Sequence, residues 1–142
     1  MKEQELKMLE ISKAKAFVLR TINDIVKKCD EDIKSYMVKL NDDFLHYFTV
    51  NAKSHVICTM MKQQFEELSR WVEAEEEEEK VVELLDSGVE FMTKKLLNYR
   101  RTQSTNELYN LMEEYKLEMY SNIIPTYQQI SNTTKKYLKS TV

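Results

Sequence analysis

The chain has 142 residues, 32% of them charged and 42% hydrophobic, and contains one glycine and one proline, against roughly 7% and 5% in average usage. Tight turns lean on those two residue types, so folds of many short strands and phosphate-cradling glycine loops are excluded, and the abundant Glu, Lys, Leu, Met and Gln favour helix. A formal net charge of −3, with Lys and Arg scattered among carboxylates, argues against nucleic acid as the main ligand.

The chain starts MKEQELK, which lacks the apolar centre of a secretory signal, and no stretch approaches the roughly 18 apolar residues of a membrane span. A cytoplasmic chain with no membrane partner is the expectation. From Glu5 to about position 101 there is no proline, and Gly88 is the only glycine. The pattern predicts one long coiled-coil helix over 1–103, a rod of roughly 140 Å. Its weak points are 49–53, where Thr49 and Val50 meet Asn51, and 86–88, ending at Gly88. Neither stretch demands a turn, because glycine inside a helix costs only about 1 kcal/mol relative to alanine.

Apolar spacing carries most of the information. Ile22, Ile25, Cys29, Ile33, Tyr36, Leu40, Phe44 and Tyr47 step by 3, 4, 4, 3, 4, 4, 3, an eleven-residue repeat that runs nearly straight or slightly right-handed. Cys58, Met61, Phe65, Leu68 and Val72 step by 3, 4, 3, 4, a heptad seam. Val82, Leu85, Val89, Met92, Leu96 and Tyr99 resume the heptad stepping. Around 44–61 the apolar face widens through Phe48, Val50, Val56, Ile57 and Met60. A helix apolar on several sides must be covered on several sides, so three or four helices are expected to meet there.

The run at 73–79, glutamates broken only by Ala74, charges every side of a helix and is expected to be a solvated, least stable stretch. Trp71, just before it, is expected in the core or beside the seam. A polar stretch at 100–105 precedes a return helix over about 106–121, with Ser104 and Glu107 in capping-box order. Leu108, Leu111, Met112, Tyr115 and Met119 form its packing stripe. Ile123, Ile124 and Pro125 should interrupt it, since proline pushes the preceding residue out of the helical region. A weaker segment to about 139 follows, with a polar middle at 131–134. The return helices over 104–142 are expected to pack back on the rod.

No constellation for catalysis emerges. His55 and Cys58 share a helical face, but structural zinc needs four ligands and nothing nearby completes the set. His46 and His55 have no serine or cysteine at a spacing that suggests a nucleophile pair. Cys29 and Cys58 read as small buried hydrophobes without a redox role. No enzyme, metal or cofactor is therefore expected.

The pattern resembles the B-box C-terminal coiled-coil region of tripartite-motif (TRIM) proteins over about 22–120. The residues are Asp32-Ile33-Lys34-Ser35-Tyr36-Met37-Val38-Lys39-Leu40, then Lys62-Gln63-Gln64-Phe65-Glu66-Glu67-Leu68. The best match is Leu84-Leu85-Asp86-Ser87-Gly88-Val89-Glu90-Phe91 with Leu96-Leu97, similar to the family's Leu-x-x-x-x-Glu-Phe-x-x-x-x-Leu-Leu run. The resemblance implies an antiparallel homodimer of long helices with shorter return helices, offering protein partners a platform at mid-rod. The chain holds no RING or B-box ligands, so the family's ubiquitin-ligase chemistry would lie outside it, and the acidic run departs from the family pattern.

Two readings follow. In the first, an all-α dimerisation and scaffolding module spaces attached domains, its seam made of Ile33, Tyr36, Leu40, Phe44, Tyr47, Cys58, Met61, Phe65, Leu68, Val82, Leu85, Val89 and Met92. In the second, a compact monomeric bundle acts as an adaptor that binds a partner helix or an apolar ligand. The second requires real breaks near Asn51 and Gly88.

Overall fold

The computed structural model describes the backbone over residues 2–99 and 106–140 and the side chains over 13–99 and 106–139. Among these residues the fold is all-helical: α1 (Lys2–Asp42), α2 (Phe44–Val50), α3 (Ala52–Ala74), α4 (Glu78–Leu97) and α5 (Glu107–Ser140). The single helix expected over 1–103 is thus four helices. Asp43 ends the first at φ −150° and ψ 91°, and its carboxylate caps α2 by accepting from the His46 N–H at 3.1 Å. That carboxylate satisfies one of the orphan amides that any helix start exposes. Asn51, inside the expected weak point, forms the joint between α2 and α3.

The third break lies in the acidic run. Glu75 and Glu77 are extended, and the Lys15 ammonium on α1 donates to the carbonyls of Glu73 and Glu75 at 2.8 Å each. A cation at a helix C-terminus answers both the unpaired carbonyls and the negative end of the dipole. Repulsion among the glutamates weakens continuation, and Lys15 stabilises termination. Gly88, the other expected weak point, lies inside α4.

α1 and α3 form an antiparallel hairpin, joined by the Lys62–Asp30 ion pair at 2.6 Å. α4 and α5 form a second hairpin, and α5 packs against α3 and α1 as well. The direction of α5 follows from two contacts. Glu118 pairs with Lys53 at the start of α3 at 2.8 Å, while Tyr137 meets Phe17 near the other end of the bundle at 5.1 Å between ring centroids. The core joins Val18 and Ile22 of α1, Ile57, Phe65, Leu68 and Val72 of α3, Val81, Leu85 and Met92 of α4, and Met119, Tyr120, Ile123, Tyr127 and Ile130 of α5. The heptad positions Phe65, Leu68, Val72, Val82, Leu85 and Met92 are therefore covered within one chain, while Cys58, Met61 and Val89 are half-buried.

Tyr127 sits where three helices meet. Its ring packs on Phe65 at 5.4 Å, its hydroxyl accepts from Gln64 Nε2 at 3.4 Å, and its edge lies over Gly88. A Cβ at position 88 would stand 2.9 Å from Tyr127 Cε2, so the missing side chain is what lets α5 approach α4.

α5 runs straight through Pro125, where an interruption was expected. An internal proline costs about 3 kcal/mol of helix propensity. Pro125 is exposed, however, while Ile123 and Tyr127 on either side are buried, and burying side chains of that size returns about 1.5–3 kcal/mol each. The polar middle at 131–134 also turns inward: Ser131 Oγ donates to Asp86 Oδ1 at 2.6 Å, Lys135 pairs with the same carboxylate, and Thr134 Oγ1 donates to the Ile130 carbonyl. At its start, α5 is capped by Asn106, whose Oδ1 accepts from the Tyr109 N–H at 3.1 Å. The Ser104 capping box lies outside the described residues.

Candidate interaction surface

One end of the bundle gathers the last turns of α1, all of α2, the first turn of α3, the end of α4 and the start of α5. α2 is the centre of this tip. Seven residues make a helix too short to persist alone in water, and one side chain, Tyr47, anchors it. The Tyr47 hydroxyl hydrogen-bonds His55 Nδ1 of α3, and Tyr36 of α1 stacks on the same imidazole at 5.4 Å. Tyr36, Tyr47 and His55 thus tie three helices together. His55 serves as a structural bridge, while His46 faces outward.

The rest of α2 is turned to solvent. Leu45 is 76% exposed and Phe48 67%, with Phe44 and Val50 beside them. Phe44, assigned to the seam by spacing, is instead an outward residue stacked on Phe48 at 6.0 Å. The eleven-residue step carries it round an uninterrupted helix, but the Asp43 joint re-aims everything after it.

Apolar exposure continues on the neighbouring elements. Met37 and Val38 are exposed on α1, Leu97 at the end of α4, and Leu108, Tyr109 and Leu111 on the first turns of α5. Leu108 and Leu111 therefore do not pack back as expected, whereas Met112 and Tyr115 are half-buried and Met119 is buried. The reason is reach. Lys53, in the first turn of α3, already meets the Tyr115 ring and Glu118, so the two turns of α5 before Tyr115 run past the start of α3. Trp71, Phe91 and Tyr137 apart, every large exposed apolar side chain among the described residues lies at this end.

The other expected seam positions divide by element. Phe65, Leu68, Val82, Leu85 and Met92 are buried together with Tyr47, while Ile33, Tyr36, Leu40, Cys58, Met61 and Val89 are half-buried. Trp71 is exposed, not in the core, and borders a groove of about 500 Å³ between α3 and α4 whose floor is Tyr120 and Tyr127. A second groove of about 550 Å³, between α1, α3 and the middle of α5, is lined by Asp24, Cys29, Tyr36, Cys58, Met61 and Glu118.

Titratable groups inside the protein are few. Burial pushes the Cys29 thiol up to about 12 and raises Cys58, and it raises the Tyr127 phenol to about 12. Glu78, at the start of α4, is also raised by burial, and its Oε1 has no hydrogen-bond partner among the described residues. No three His, Cys, Asp or Glu side chains among the described residues converge as a metal site, and none of the described helices is long and apolar enough to cross a membrane. The apolar tip is the concentrated surface feature of this all-helical chain. No protein-family model, curated protein or solved structure matches it.

The tip had a partial signal in the sequence: the widened apolar face around 44–61. That signal reports excess apolar surface. Whether the excess is core or interface depends on the Asp43 joint, and in the sequence its capping carboxylate is not distinguished from that of its neighbour Asp42.

Proposed function

We propose that the protein is a non-enzymatic association module whose apolar tip docks on the tip of a second copy, so that the chain works as a homodimeric scaffold for protein partners. The observation that carries this reading is α2, a helix with one side chain inside and Phe44, Leu45, Phe48 and Val50 outside. Soluble monomers rarely expose contiguous apolar patches beyond about 300–600 Å², and exposed large apolar side chains gather at this end from α1, α2, α4 and α5. A second copy brings an equal apolar area in matched supply. The rim also suits a two-fold contact, because it carries exposed Asp42 and Asp43 on one side and exposed Lys94 and Lys95 at the end of α4.

The test is molar mass by light scattering with small-angle X-ray scattering. α1 alone spans about 60 Å, so a tip-to-tip dimer should be an elongated particle of about twice that length. Leu45→Asp with Phe48→Asp should give a monomer with unchanged helical circular dichroism. A wild-type chain that stays monomeric at about 100 μM, roughly the range of weak association, would remove the reading.

A second reading keeps the TRIM resemblance. Under it, the chain would dimerise through straightened helices and space the domains of a longer ubiquitin ligase in the cytoplasm. It rests on the residues quoted for the resemblance. Leu45 and Phe48 lie outside the seam assigned to that rod, so dimers that survive the double aspartate variant favour it over tip docking. The groove beside Trp71 supports the adaptor alternative, in which a partner helix or apolar ligand binds a monomeric bundle.

A further inference from the structure

The α1/α3 hairpin brings the two cysteines of the chain together from positions 29 apart in sequence. The Cys58 thiol donates to the Cys29 carbonyl, 3.6 Å away, and the two side chains are near enough for Cys58 to raise the Cys29 pKa. A disulfide needs Cα atoms about 4.4–6.8 Å apart, so the link closes only if the two helices can bring the pair within that range. The two differ in access: Cys29 is buried, Cys58 is half-buried, and both line the groove between α1, α3 and α5.

We propose that Cys29 and Cys58 are an oxidisable pair that closes to an interhelix disulfide when the protein meets a hydroperoxide. The Cys58 thiolate, on the more open side, attacks the terminal peroxide oxygen. The O–O bond breaks, the leaving oxygen takes up a proton, and Cys58 becomes a sulfenic acid. The Cys29 thiol gives up its proton and its thiolate attacks the Cys58 sulfur; the S–O bond breaks, and the departing hydroxide takes up a proton and leaves as water. Two thiols have lost two electrons and two protons, and the peroxide has been reduced to water and its alcohol, or to two waters from hydrogen peroxide. Reduction by an external dithiol returns both thiols.

Two properties follow from the surroundings. Burial holds both thiols above their ordinary range, with Lys28 pulling Cys58 the other way, so oxidation is slow at neutral pH and accelerates as pH rises. The link would tie α1 to α3 in mid-hairpin and close a ring of chain that contains α2 and the Tyr36, His55 and Tyr47 bridge. The disulfide therefore staples the part of the fold that carries the tip, whichever partner that tip takes.

The experiment is incubation of the reduced full chain with hydrogen peroxide at mildly alkaline pH, followed by intact mass, non-reducing peptide mapping and thermal melting. The expected product has lost two hydrogens, joins the peptides carrying Cys29 and Cys58 within one chain, and reverts with dithiothreitol. Its midpoint should rise by about 10 °C, from the loop closed and the size of the domain. Cys58→Ser, at the half-buried position, should abolish both the mass loss and the rise in midpoint. Sulfinic acid at Cys58 with Cys29 untouched, a link between two chains, or an unchanged mass would each overturn the proposal.

Discussion

Replacing Gly88 by alanine tests the packing of α4 on α5 with a change of sign. In an exposed helix interior the substitution should stabilise by about 1 kcal/mol. At this site the new Cβ would stand 2.9 Å from Tyr127 Cε2 and 3.2 Å from Cδ2, where carbon atoms normally meet at about 3.5–4.0 Å. The ring has little room to move, being 1% exposed, packed on Phe65 and hydrogen-bonded through its hydroxyl to Gln64. Overpacking of this kind costs about 1–3 kcal/mol, so Gly88→Ala should destabilise by about 1 kcal/mol net. In a Tyr127→Leu background the two ring atoms are gone, and the same Gly88→Ala change should stabilise by about 1 kcal/mol. Urea denaturation of the four proteins of this cycle measures a coupling of about 2 kcal/mol. Equal effects of Gly88→Ala in both backgrounds would refute the claim that close approach explains the single glycine.

Two further predictions separate an intrachain core from an interchain seam and test the buried acid. In a Leu45→Asp, Phe48→Asp background that removes tip contacts, Phe65→Ala should cost about 3–5 kcal/mol with a melting midpoint independent of protein concentration, because Phe65 packs against Tyr127 of the same chain. A midpoint that moves with concentration would place that seam between chains. Glu78 has a native pKa raised by burial above its ordinary 4.5, so the folded state holds the proton more tightly than the unfolded state. Its burial therefore adds no penalty below the unfolded pKa, and an increasing one as pH rises from there through the folded value. Glu78→Gln should raise the midpoint at pH 7, with the gain shrinking toward pH 4; a gain that grows on acidification contradicts the raised pKa.

The sequence makes the buried faces legible before it makes their partners legible. Phe65, Leu68, Leu85 and Met92 stand at heptad spacing and are buried, yet the period says only that a face is covered. The break at 75–77 carries no turn-forming residue, and part of what stabilises it is Lys15, 58 and 60 residues away from the carbonyls it binds. No local rule finds such a cap. Pro125 fails as a breaker for the same reason in reverse: a local penalty is outweighed by burial of Ile123 and Tyr127 on α5. Cys29 and Cys58 belong to separate stripes in the sequence and meet only because the chain folds back between them.

The fold-back itself rests on very little backbone. Helical i to i−4 hydrogen bonds run through both joints: Asp43 N–H to the Lys39 carbonyl, Tyr47 to Asp43, Asn51 to Tyr47, and His55 to Asn51, with N to O distances of 3.0, 2.9, 2.7 and 2.9 Å. Asn51 stays in the right-handed helical region at φ −113° and ψ −20°, and Asp43 alone is extended. Hairpin and continuous helix thus differ at few dihedral angles. What selects the hairpin is the Asp43 cap, worth about 1 kcal/mol, the Tyr36, Tyr47 and His55 bridge, and the core that folding back creates. Asp43→Ala with Asn51→Ala removes the cap and raises helix propensity at both joints. In a straightened chain, residues 2–74 would form a helix of about 110 Å, and Val18, Ile22, Phe65 and Leu68 would need a second copy to cover them. The same faces then pair between chains, as in a domain swap. Made in a Leu45→Asp background to remove tip contacts, the double variant should dimerise, keep its helical circular dichroism and lengthen from about 60 Å to more than about 100 Å in solution scattering. A variant that stays monomeric at unchanged length, with only a lower melting midpoint, would show that the core alone fixes the hairpin and that Asp43 and Asn51 merely stabilise it.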